Sequence, residues 1–188
     1  MWGILMNEDK KSGAGKKLTP RPNLTLAESV TNLRHFLGKR LESIWLIVYA
    51  FENQVADWER AEPEFVFQEG VFRCRVINGD WLEVRDTPWE DHYRDVTKEF
   101  LDFIFECGMP WRVDMSVEDQ YREYVGKVLD RIYLIENQFG DVAGAEFWFE
   151  GEVATLVVGG DEEIFIPGKC RDRLGHMKYR IGDEILPL

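Results

Sequence analysis

The segment GKRLESIWLI at residues 38–47 decides the fold, because a close copy of it, GKVLDRIYLI, occupies residues 126–135. The shared pattern is G-K-x-L-[DE]-x-I-[WY]-L-I, and the two copies are offset by 88 residues. The apolar run in each copy is too short for a membrane helix and is typical of a buried strand. A repeat of this kind predicts that one structural unit occurs twice in the chain.

The similarity extends on both sides of these two segments. Downstream, EFVF at residues 64–67 matches EFWF at residues 146–149, with an offset of 82 because the preceding loop is six residues shorter in the second copy. We therefore predict an internal duplication. Further matched pairs are Val71 with Val153, Val76 with Val158, Leu82 with Ile164, Val84 with Ile166, Leu33 with Tyr121, Phe36 with Tyr124 and Leu37 with Val125.

Each copy is predicted to contain a helix, a long strand and a meander of shorter strands. The dipeptides Asn78-Gly79 and Gly159-Gly160 stand where tight hairpin turns belong. This pattern predicts an α+β fold with one sheet, or two packed sheets, and helices on one side. The predicted strands are 41–50, 63–68, 71–77 and 80–85 in the first copy, and 129–138, 145–150, 152–158 and 162–166 in the second.

The helix of the first copy has clear start and stop signals. Thr25 is a predicted N-cap, and Glu28 follows at capping-box spacing. Gly38 is predicted to end this helix, and Gly38 and Gly126 are both expected to adopt a positive φ. The alternating pattern also predicts that Ile44, Leu46, Ile132 and Leu134 are buried.

A further helix is predicted between the copies, from Glu90 to Cys107, because apolar residues recur along it at helical spacing and Gly108 and Pro110 follow it. The predicted organisation is a flexible N-terminal tail at residues 1–24, a first repeat with this linking helix at residues 25–107, and a second repeat at residues 108–188.

The charge of the chain is strongly negative and unevenly distributed. The formal net charge is −12 over 188 residues. Residues 41–170 contain eleven Lys or Arg and twenty-nine Asp or Glu. A body of this kind repels nucleic acid and anionic membranes and attracts a basic protein. The alternative interpretation is that the acidity serves solubility alone.

The composition also bears on location. No stretch approaches the roughly 20 apolar residues that a membrane helix requires. The N-terminus does not have the order of a secretory signal, with positive charge before a longer apolar region. Cys74, Cys107 and Cys170 form neither a disulfide framework nor a zinc motif. Cys74 and Cys107 fall on predicted apolar faces, so we expect them to be buried. These features predict a cytoplasmic protein.

The sequence carries no recognisable catalytic or cofactor motif. His35, His92 and His176 do not have the spacing of metal ligands. The patterns GxGxxG, GxxxxGK[ST] and GxSxG are absent from the chain. We therefore expect no metal and no cofactor, and the sequence leaves enzymatic activity open while favouring a protein without it.

One group of carboxylates is more specific than the general acidity. Asp91, Asp95, Glu99, Asp102 and Glu106 are spaced by 4, 4, 3 and 4 residues, which would place all five along one face of the linking helix. A row of carboxylates resembles a phosphate backbone and suits a basic groove. These five residues, the acidic stripe, are the predicted partner-binding residues. The alternative is a solvated helix face, partly neutralised by Arg94 and Lys98.

The small size, the acidity, the duplicated unit and the lack of catalytic motifs resemble features of many immunity proteins, which neutralise bacterial toxins. The resemblance is one of type and rests on no shared motif. It implies an acidic protein-binding inhibitor, an immunity or antitoxin protein that blocks a basic toxin such as a nuclease. Such a protein would bind neither nucleic acid nor membrane and would be a monomer or a weak homodimer.

Two other functions are compatible with the sequence. The first is a ligand-binding or enzymatic domain with an aromatic pocket between the repeats, lined by Trp45, Trp81, Tyr133 or Trp148. The second is a pseudo-dimeric scaffold, because a duplicated unit imitates a two-fold dimer. A toxin gene beside this one would favour the inhibitor, and a deep pocket with converging polar groups would favour the ligand-binding domain.

Overall fold

The computed structural model describes residues 24–51, 54–55, 61–77, 81–90, 97, 99, 108–159, 162–169 and 180–187. The helices with defined bounds are α1 (Leu26–Arg34) and α2 (Asp119–Arg122). The strands are β1 (Leu41–Phe51), β2 (Gln54–Val55), β3 (Glu62–Phe67), β4 (Gly70–Ile77), β5 (Trp81–Arg85), β6 (Met109–Asp114), β7 (Leu129–Glu136), β8 (Val142–Phe149), β9 (Glu152–Gly159), β10 (Glu162–Pro167) and β11 (Arg180–Glu184).

The described residues form a mostly-β structure of two antiparallel sheets with two short helices, which corrects the predicted α+β class. All eight predicted strands form, with bounds that differ by no more than three residues. The short strands β2, β6 and β11 were not predicted. β6 does alternate, with apolar Met109, Trp111 and Val113, but Pro110 within it argues against a strand. β11 is mostly polar around Gly182 and lacks the apolar alternation that marks a strand.

The first sheet has the order β6-β1-β3-β4-β5, and the two-residue β2 also pairs with the end of β1. β6 pairs with β1 between Trp45 and Ala50, although it follows residue 107 in the chain. The predicted boundary between residues 107 and 108 therefore does not separate the two sheets. The first sheet extends to Asp114.

The second sheet has the order β11-β7-β8-β9-β10. Its strand order is the same as in the first sheet, since in both the last strand of the unit returns to pair with the first. After β6 the Met115 N–H donates to the Ile44 carbonyl at 2.9 Å, and after β11 the Ile185 N–H donates to the Ile132 carbonyl at 2.8 Å. Met115 and Ile185 are both buried.

The two repeated GK segments bond to each other reciprocally. The Gly38 N–H donates to the Leu129 carbonyl, and the Gly126 N–H donates to the Leu41 carbonyl, both at 2.8 Å. An antiparallel bridge joins Arg40 and Val128 between them. Each bond is matched by its equivalent at the offset of 88 residues, so the two sheets meet in a local two-fold arrangement.

Phenylalanine side chains fill the space between the sheets. The ring of Phe65 on β3 lies 5.0 Å from Phe147 and 5.7 Å from Phe165, centroid to centroid, and Phe72 on β4 lies 5.7 Å from Phe147. All four rings are fully buried. The sheets therefore pack face to face, and each has an inner face toward this core and an outer face away from it.

The strand registers relate equivalent positions in the two sheets. Glu64 pairs with Arg73 in the first sheet, and Glu146 pairs with Thr155 in the second. Cys74 and Leu156 are equivalent residues of β4 and β9. Cys74 pairs with Val84, whereas Leu156 pairs with Phe165, so Val84 is equivalent to Phe165 and the offset between the units is one residue smaller in β5 and β10. The sequence alignment of Val84 with Ile166, and of Leu82 with Ile164, is therefore wrong by one residue.

Most residues predicted to be buried are buried. Ile44, Leu46 and Ile132 are fully buried, as is the thiol-bearing Cys74 on β4, while Leu134 is only partly buried. Gly38 and Gly126 have φ values of +81° and +84°, as predicted, and each is the first residue of its GK segment.

The helix α1 covers the edge strand β5. Its predicted capping box is confirmed, since the Glu28 N–H donates to the Thr25 hydroxyl and the Thr25 N–H donates to the Glu28 carboxylate. The Asn32 amide donates to the Val84 carbonyl at 2.8 Å, and the Val84 N–H donates to the Ser29 hydroxyl at 3.0 Å. These side chains satisfy the open edge of the sheet.

Candidate functional site

The acidic stripe falls mostly outside the described residues. Asp91, Asp95, Asp102 and Glu106 are not among them, and Glu99 is helical and exposed. Thr97 is not helical, which means that the predicted helix does not run unbroken from Glu90 to Cys107. One unbroken helix therefore does not carry all five carboxylates, and a shared face for Glu99, Asp102 and Glu106 stays a prediction from their spacing.

The exposed charge of the described residues is predominantly negative. Four exposed cations, Arg40, Arg122, Lys169 and Arg180, stand against fifteen exposed carboxylates. These carboxylates are Glu28, Glu42, Glu69, Asp86, Glu90, Glu99, Asp114, Glu118, Asp119, Glu123, Asp130, Asp141, Glu150, Asp183 and Glu184.

The four exposed cations are also engaged with other groups. Arg122 pairs with Asp119 at 3.6 Å and Arg180 pairs with Glu136. Arg40 donates to the Gly126 carbonyl, and the Lys169 ammonium lies 4.8 Å from the Trp148 ring. The described surface therefore offers carboxylates, with little positive charge between them, to a partner.

Several arginines lie instead on the outer face of the first sheet, paired with glutamates. Glu83 on β5 is fully buried. It accepts hydrogen bonds from Arg75 at 2.5 Å, from Arg85 at 2.9 Å and from the Leu24 N–H at 2.7 Å. Burial alone would raise the pKa of this carboxyl, but these hydrogen bonds outweigh burial and lower the pKa to about 2.

A second buried carboxylate, Glu64, lies on β3 of the same face. Its Oε2 accepts the Trp89 N–H at 2.5 Å, and its Oε1 accepts two hydrogen bonds from Arg112 at 2.8 and 2.5 Å. The Arg112 guanidinium lies 3.9 Å from the centroid of the Trp45 ring. Glu64 thus bonds to one chain segment that follows β5 and to another that belongs to β6.

The third glutamate of this face, Glu62, is in a different electrostatic state. Burial raises its pKa, and the nearby Arg73 and Arg75 lower it only in part. The Arg73 Nε lies 3.6 Å from the Glu62 carboxylate. We call Glu62, Glu64, Arg73, Arg75, Glu83, Arg85 and Arg112 the outer-face charge network.

Sequence reasoning missed this network, although a signal was present. Charged residues alternate along three successive strands, as E-x-E at 62–64, R-x-R at 73–75 and E-x-R at 83–85. Period-two spacing places each pair on one face of its strand. The opposite signs of the charges at 62–64 and 73–75 were the clue that these two strands pair.

Trp45, Tyr133 and Trp148, three of the aromatic residues proposed for a pocket between the repeats, do not come together there. Trp45 and Tyr133 lie on the outer faces of different sheets, Trp45 between buried Ile44 and Leu46, and Tyr133 next to buried Ile132. Trp148 lies near Tyr133, with ring centroids 6.0 Å apart, beneath Arg131 at 4.7 Å. The backbone of Trp81 pairs with Ile77, and the space between the sheets holds the phenylalanine core.

Among the described residues no group of His, Cys, Asp and Glu side chains is arranged to hold a metal ion. His35 is exposed, and His92, His176, Cys107 and Cys170 lie outside the described residues. Across the same part of the chain, no helix has the length and apolar character needed to span a membrane.

Comparison with known proteins identifies no relative of this chain. No protein-family model, no curated protein and no solved structure matches it.

Proposed function

We propose that this protein is an acidic inhibitor that binds another protein, and that its partner is a basic toxin such as a nuclease. In this role it would act as an immunity or antitoxin protein in the cytoplasm, and it would require neither a cofactor nor catalytic residues. It would bind neither nucleic acid nor membrane, because both repel an acidic surface.

The observation that carries this proposal is the sign of the exposed charge. The described surface presents fifteen exposed carboxylates and four exposed cations. Arg75, Arg85 and Arg112 of the outer-face charge network are paired with buried glutamates, so they do not offset this surface charge. A basic partner would be attracted over a distance, and its association rate would fall as salt rises.

Within that surface, the binding residues proposed are those of the acidic stripe, and Glu99, Asp102 and Glu106, which follow Thr97, are proposed to contribute most. Their spacing of 3 and 4 residues is that of one helix face. The exposure of the helical Glu99 supports the availability of this face. Asp91 and Asp95 precede Thr97 and would contribute to the general field.

The two sheets are proposed to have arisen by internal duplication. The support is the repeated GK segment, the common strand order and the reciprocal bonds between residues 38–41 and 126–129. A relative with a single unit would be expected to form a two-fold dimer through the same bonds. The protein itself would then be a monomer or a weak homodimer.

Capture from the native host tests the proposed function. The immobilised full chain is exposed to host lysate at an ionic strength of about 0.1 M and then eluted with steps toward 1 M, where the screening length falls from about 10 Å to about 3 Å. We expect a basic protein to elute in the salt steps. Expression of that protein alone should stop growth, and co-expression with this chain should restore growth.

A matched pair of variants locates the binding surface. The stripe variant carries Glu99→Lys, Asp102→Lys and Glu106→Lys. The control variant carries Glu42→Lys, Asp86→Lys and Glu123→Lys, three exposed positions elsewhere, so that the net charge changes equally. We expect the stripe variant to associate at least tenfold more slowly at low salt than the control.

Three outcomes would contradict these proposals in different ways. Equal slowing by both variants would show that the whole surface attracts the partner and that the stripe has no special role. Equal and undiminished rates would remove the electrostatic basis of the proposal. A captured protein that is not toxic to the host would refute the immunity function even if its binding were electrostatic.

A further inference from the structure

The buried carboxylate of Glu64 joins two distant parts of the chain. Trp89 lies four residues after the end of β5. Arg112 lies on β6, the strand with which the chain returns to the first sheet. Both bond to the same carboxylate, Trp89 through its backbone N–H and Arg112 through its guanidinium. The residues between these two contacts include the whole acidic stripe.

The second contact is itself held in place. The Arg112 guanidinium lies over the Trp45 ring at 3.9 Å, so the aromatic face and the Glu64 carboxylate fix it from two directions. Trp45 and Glu64 are opposite each other on the paired strands β1 and β3. The anchor therefore stands on two central strands of a sheet whose inner face is the core.

From this geometry we infer that Glu64 is a positioning residue that clamps both ends of the connection between Trp89 and Arg112, and so sets the placement of the acidic stripe relative to the first sheet. The effect of the clamp on partner binding rests on the proposed function, whereas the clamp itself does not depend on it. Two ends held at one carboxylate restrict the connection as a closed loop does, with a lower conformational entropy than a free one.

The chemistry of Glu64 makes the clamp sensitive to a minimal change. Both carboxylate oxygens accept hydrogen bonds, and each faces a donor. In Glu64→Gln one oxygen becomes an NH₂ group, which is a donor only. Whichever way the amide is oriented, a donor then faces either Trp89 N–H or Arg112, and one end of the connection is released. The side chain keeps its size, so packing is preserved.

Glu83 provides a matched control on the same face of the same sheet. Glu83 is also fully buried, and both of its carboxylate oxygens also accept hydrogen bonds, from Arg75, Arg85 and the Leu24 N–H. However, the backbone N–H that donates to Glu83 belongs to Leu24, two residues before α1. Glu83→Gln therefore makes the same chemical change but loosens the segment before α1 instead of the connection between Trp89 and Arg112.

Amide hydrogen exchange of the full chain tests the clamp, without any partner. In Glu64→Gln we expect exchange in peptides within residues 86–114 to become roughly tenfold faster, the order expected for loss of a charge-assisted hydrogen bond. In Glu83→Gln the faster exchange should appear instead around residues 24–32. The inference is wrong if Glu64→Gln leaves residues 86–114 unchanged, or if both variants loosen the same peptides.

Faster exchange of residues 144–157 in the second sheet would show that Glu64→Gln destabilises the whole fold. A second variant tests the clamp in that case. Arg112→Lys keeps the charge but replaces the two-pronged donor by a single ammonium. It should speed exchange within residues 108–114 while residues 144–157 stay protected, and no change at residues 108–114 would overturn the clamp.

The functional consequence is measured separately with the basic protein captured from the host. Glu64→Gln should slow its association about as much as the stripe variant does, and Glu83→Gln should not. Altered exchange with unaltered association would refute the positioning of the stripe but leave the clamp intact. Failure to capture any basic protein would refute the proposed function alone.

Discussion

The outer faces of the two sheets are built on the same strand order but have opposite chemistry. In the first sheet the central positions of this face are charged. The positions related to them by strand register in the second sheet are mostly apolar, and only the glutamate at position 64 is retained, as Glu146. The pairs are Glu62 with Gly144, Glu64 with Glu146, Arg73 with Thr155, Arg75 with Val157, Glu83 with Ile164 and Arg85 with Ile166.

Both faces are nevertheless covered. Glu64 and Glu83 are fully buried on the first sheet, and Thr155 and Val157 are fully buried on the second. On each face a residue that follows the strand β5 or β10 takes part in a hydrogen bond with a side chain of that face. Trp89 donates to Glu64 on the first sheet, and Thr155 donates to the Gly168 carbonyl at 2.7 Å on the second.

The difference shows how one backbone arrangement accommodates two ways of covering a sheet. Apolar residues such as Val157 are stabilised simply by removal from water. Buried charges pay a desolvation penalty and are tolerated only when they are paired and hydrogen-bonded. The charged face is therefore the more specific one, since each segment that covers it must bring a donor to a particular carboxylate.

The largest expected effect comes from removing one member of the charged face. Glu83→Ala should lower the free energy of unfolding by about 3–5 kcal/mol, because Arg75 and Arg85 then lie without their shared carboxylate. Urea denaturation measures this. Glu69→Ala, which breaks only an exposed pair with Lys39, is the control and should change stability by less than about 1 kcal/mol.

Converting the first face into the second sharpens the comparison. The triple variant Arg75→Val, Glu83→Ile and Arg85→Ile installs the residues found at the equivalent positions of the second sheet. It should be about as stable as the wild type, and so about 3–5 kcal/mol more stable than Glu83→Ala, because apolar residues replace a buried ion pair without leaving a charge unpaired. A triple variant less stable than the single one would show that the two faces are not interchangeable.

A smaller effect is expected at Gly144, where the second sheet leaves no room for a side chain that the first sheet accommodates. A Cβ added at Gly144 would collide with the Leu156 carbonyl oxygen of the neighbouring strand, whereas the equivalent Glu62 carries a full side chain. Gly144→Ala should therefore lower the free energy of unfolding by about 1–3 kcal/mol. Glu62→Ala is the comparison, and a loss for it as large as for Gly144→Ala would break the contrast.

The smallest effect is a difference in acid sensitivity. The folded-state pKa of Glu83 is lowered from 4.5 to about 2, so its contribution to stability is present above pH 4.5 and is lost as the pH falls toward 2. Glu83→Gln should make stability less dependent on pH in this range, by at most about 1.4 kcal/mol for each pH unit. Urea midpoints between pH 5 and pH 3 measure the slope, and parallel slopes for both proteins would contradict the assignment.

Glu62 gives the opposite sign and serves as the control for that measurement. Its pKa is raised, so the folded chain holds a proton that the unfolded chain releases, and stability falls as the pH rises through the interval above 4.5. Glu62→Gln should remove this fall. The second sheet has Gly144 and Ile164 at these two positions, which do not titrate.

Local pattern predicted the strands well. The alternation in residues 64–67 and 146–149, and the repeated GK segments, indicated half-buried strands, because side chains on a strand alternate between two faces. The capping box at Thr25 was equally readable, since all of its atoms lie within one turn. The short strands β6 and β11 were not, because their pairing with β1 and β7 depends on residues far away in the chain.

The features of the candidate site also differ in whether they could be predicted from local sequence. The acidity of the chain was evident from composition, and the acidic stripe remains a prediction from spacing. The outer-face charge network was not predicted, because Glu64 meets Trp89 and Arg112 only after β1, β3 and β6 have paired.

By itself the sequence determined where eight of the strands lie, which of their residues face the core and the sign of the overall charge. These properties depend on short-range periodicity and on composition, and both can be read along the chain. The tertiary structure decided how the strands are ordered, which sheet β6 joins and which arginines are neutralised by buried glutamates. Those outcomes depend on contacts between distant segments. Forming such contacts costs loop-closure entropy and desolvation free energy, and only the interactions of the complete fold offset these costs.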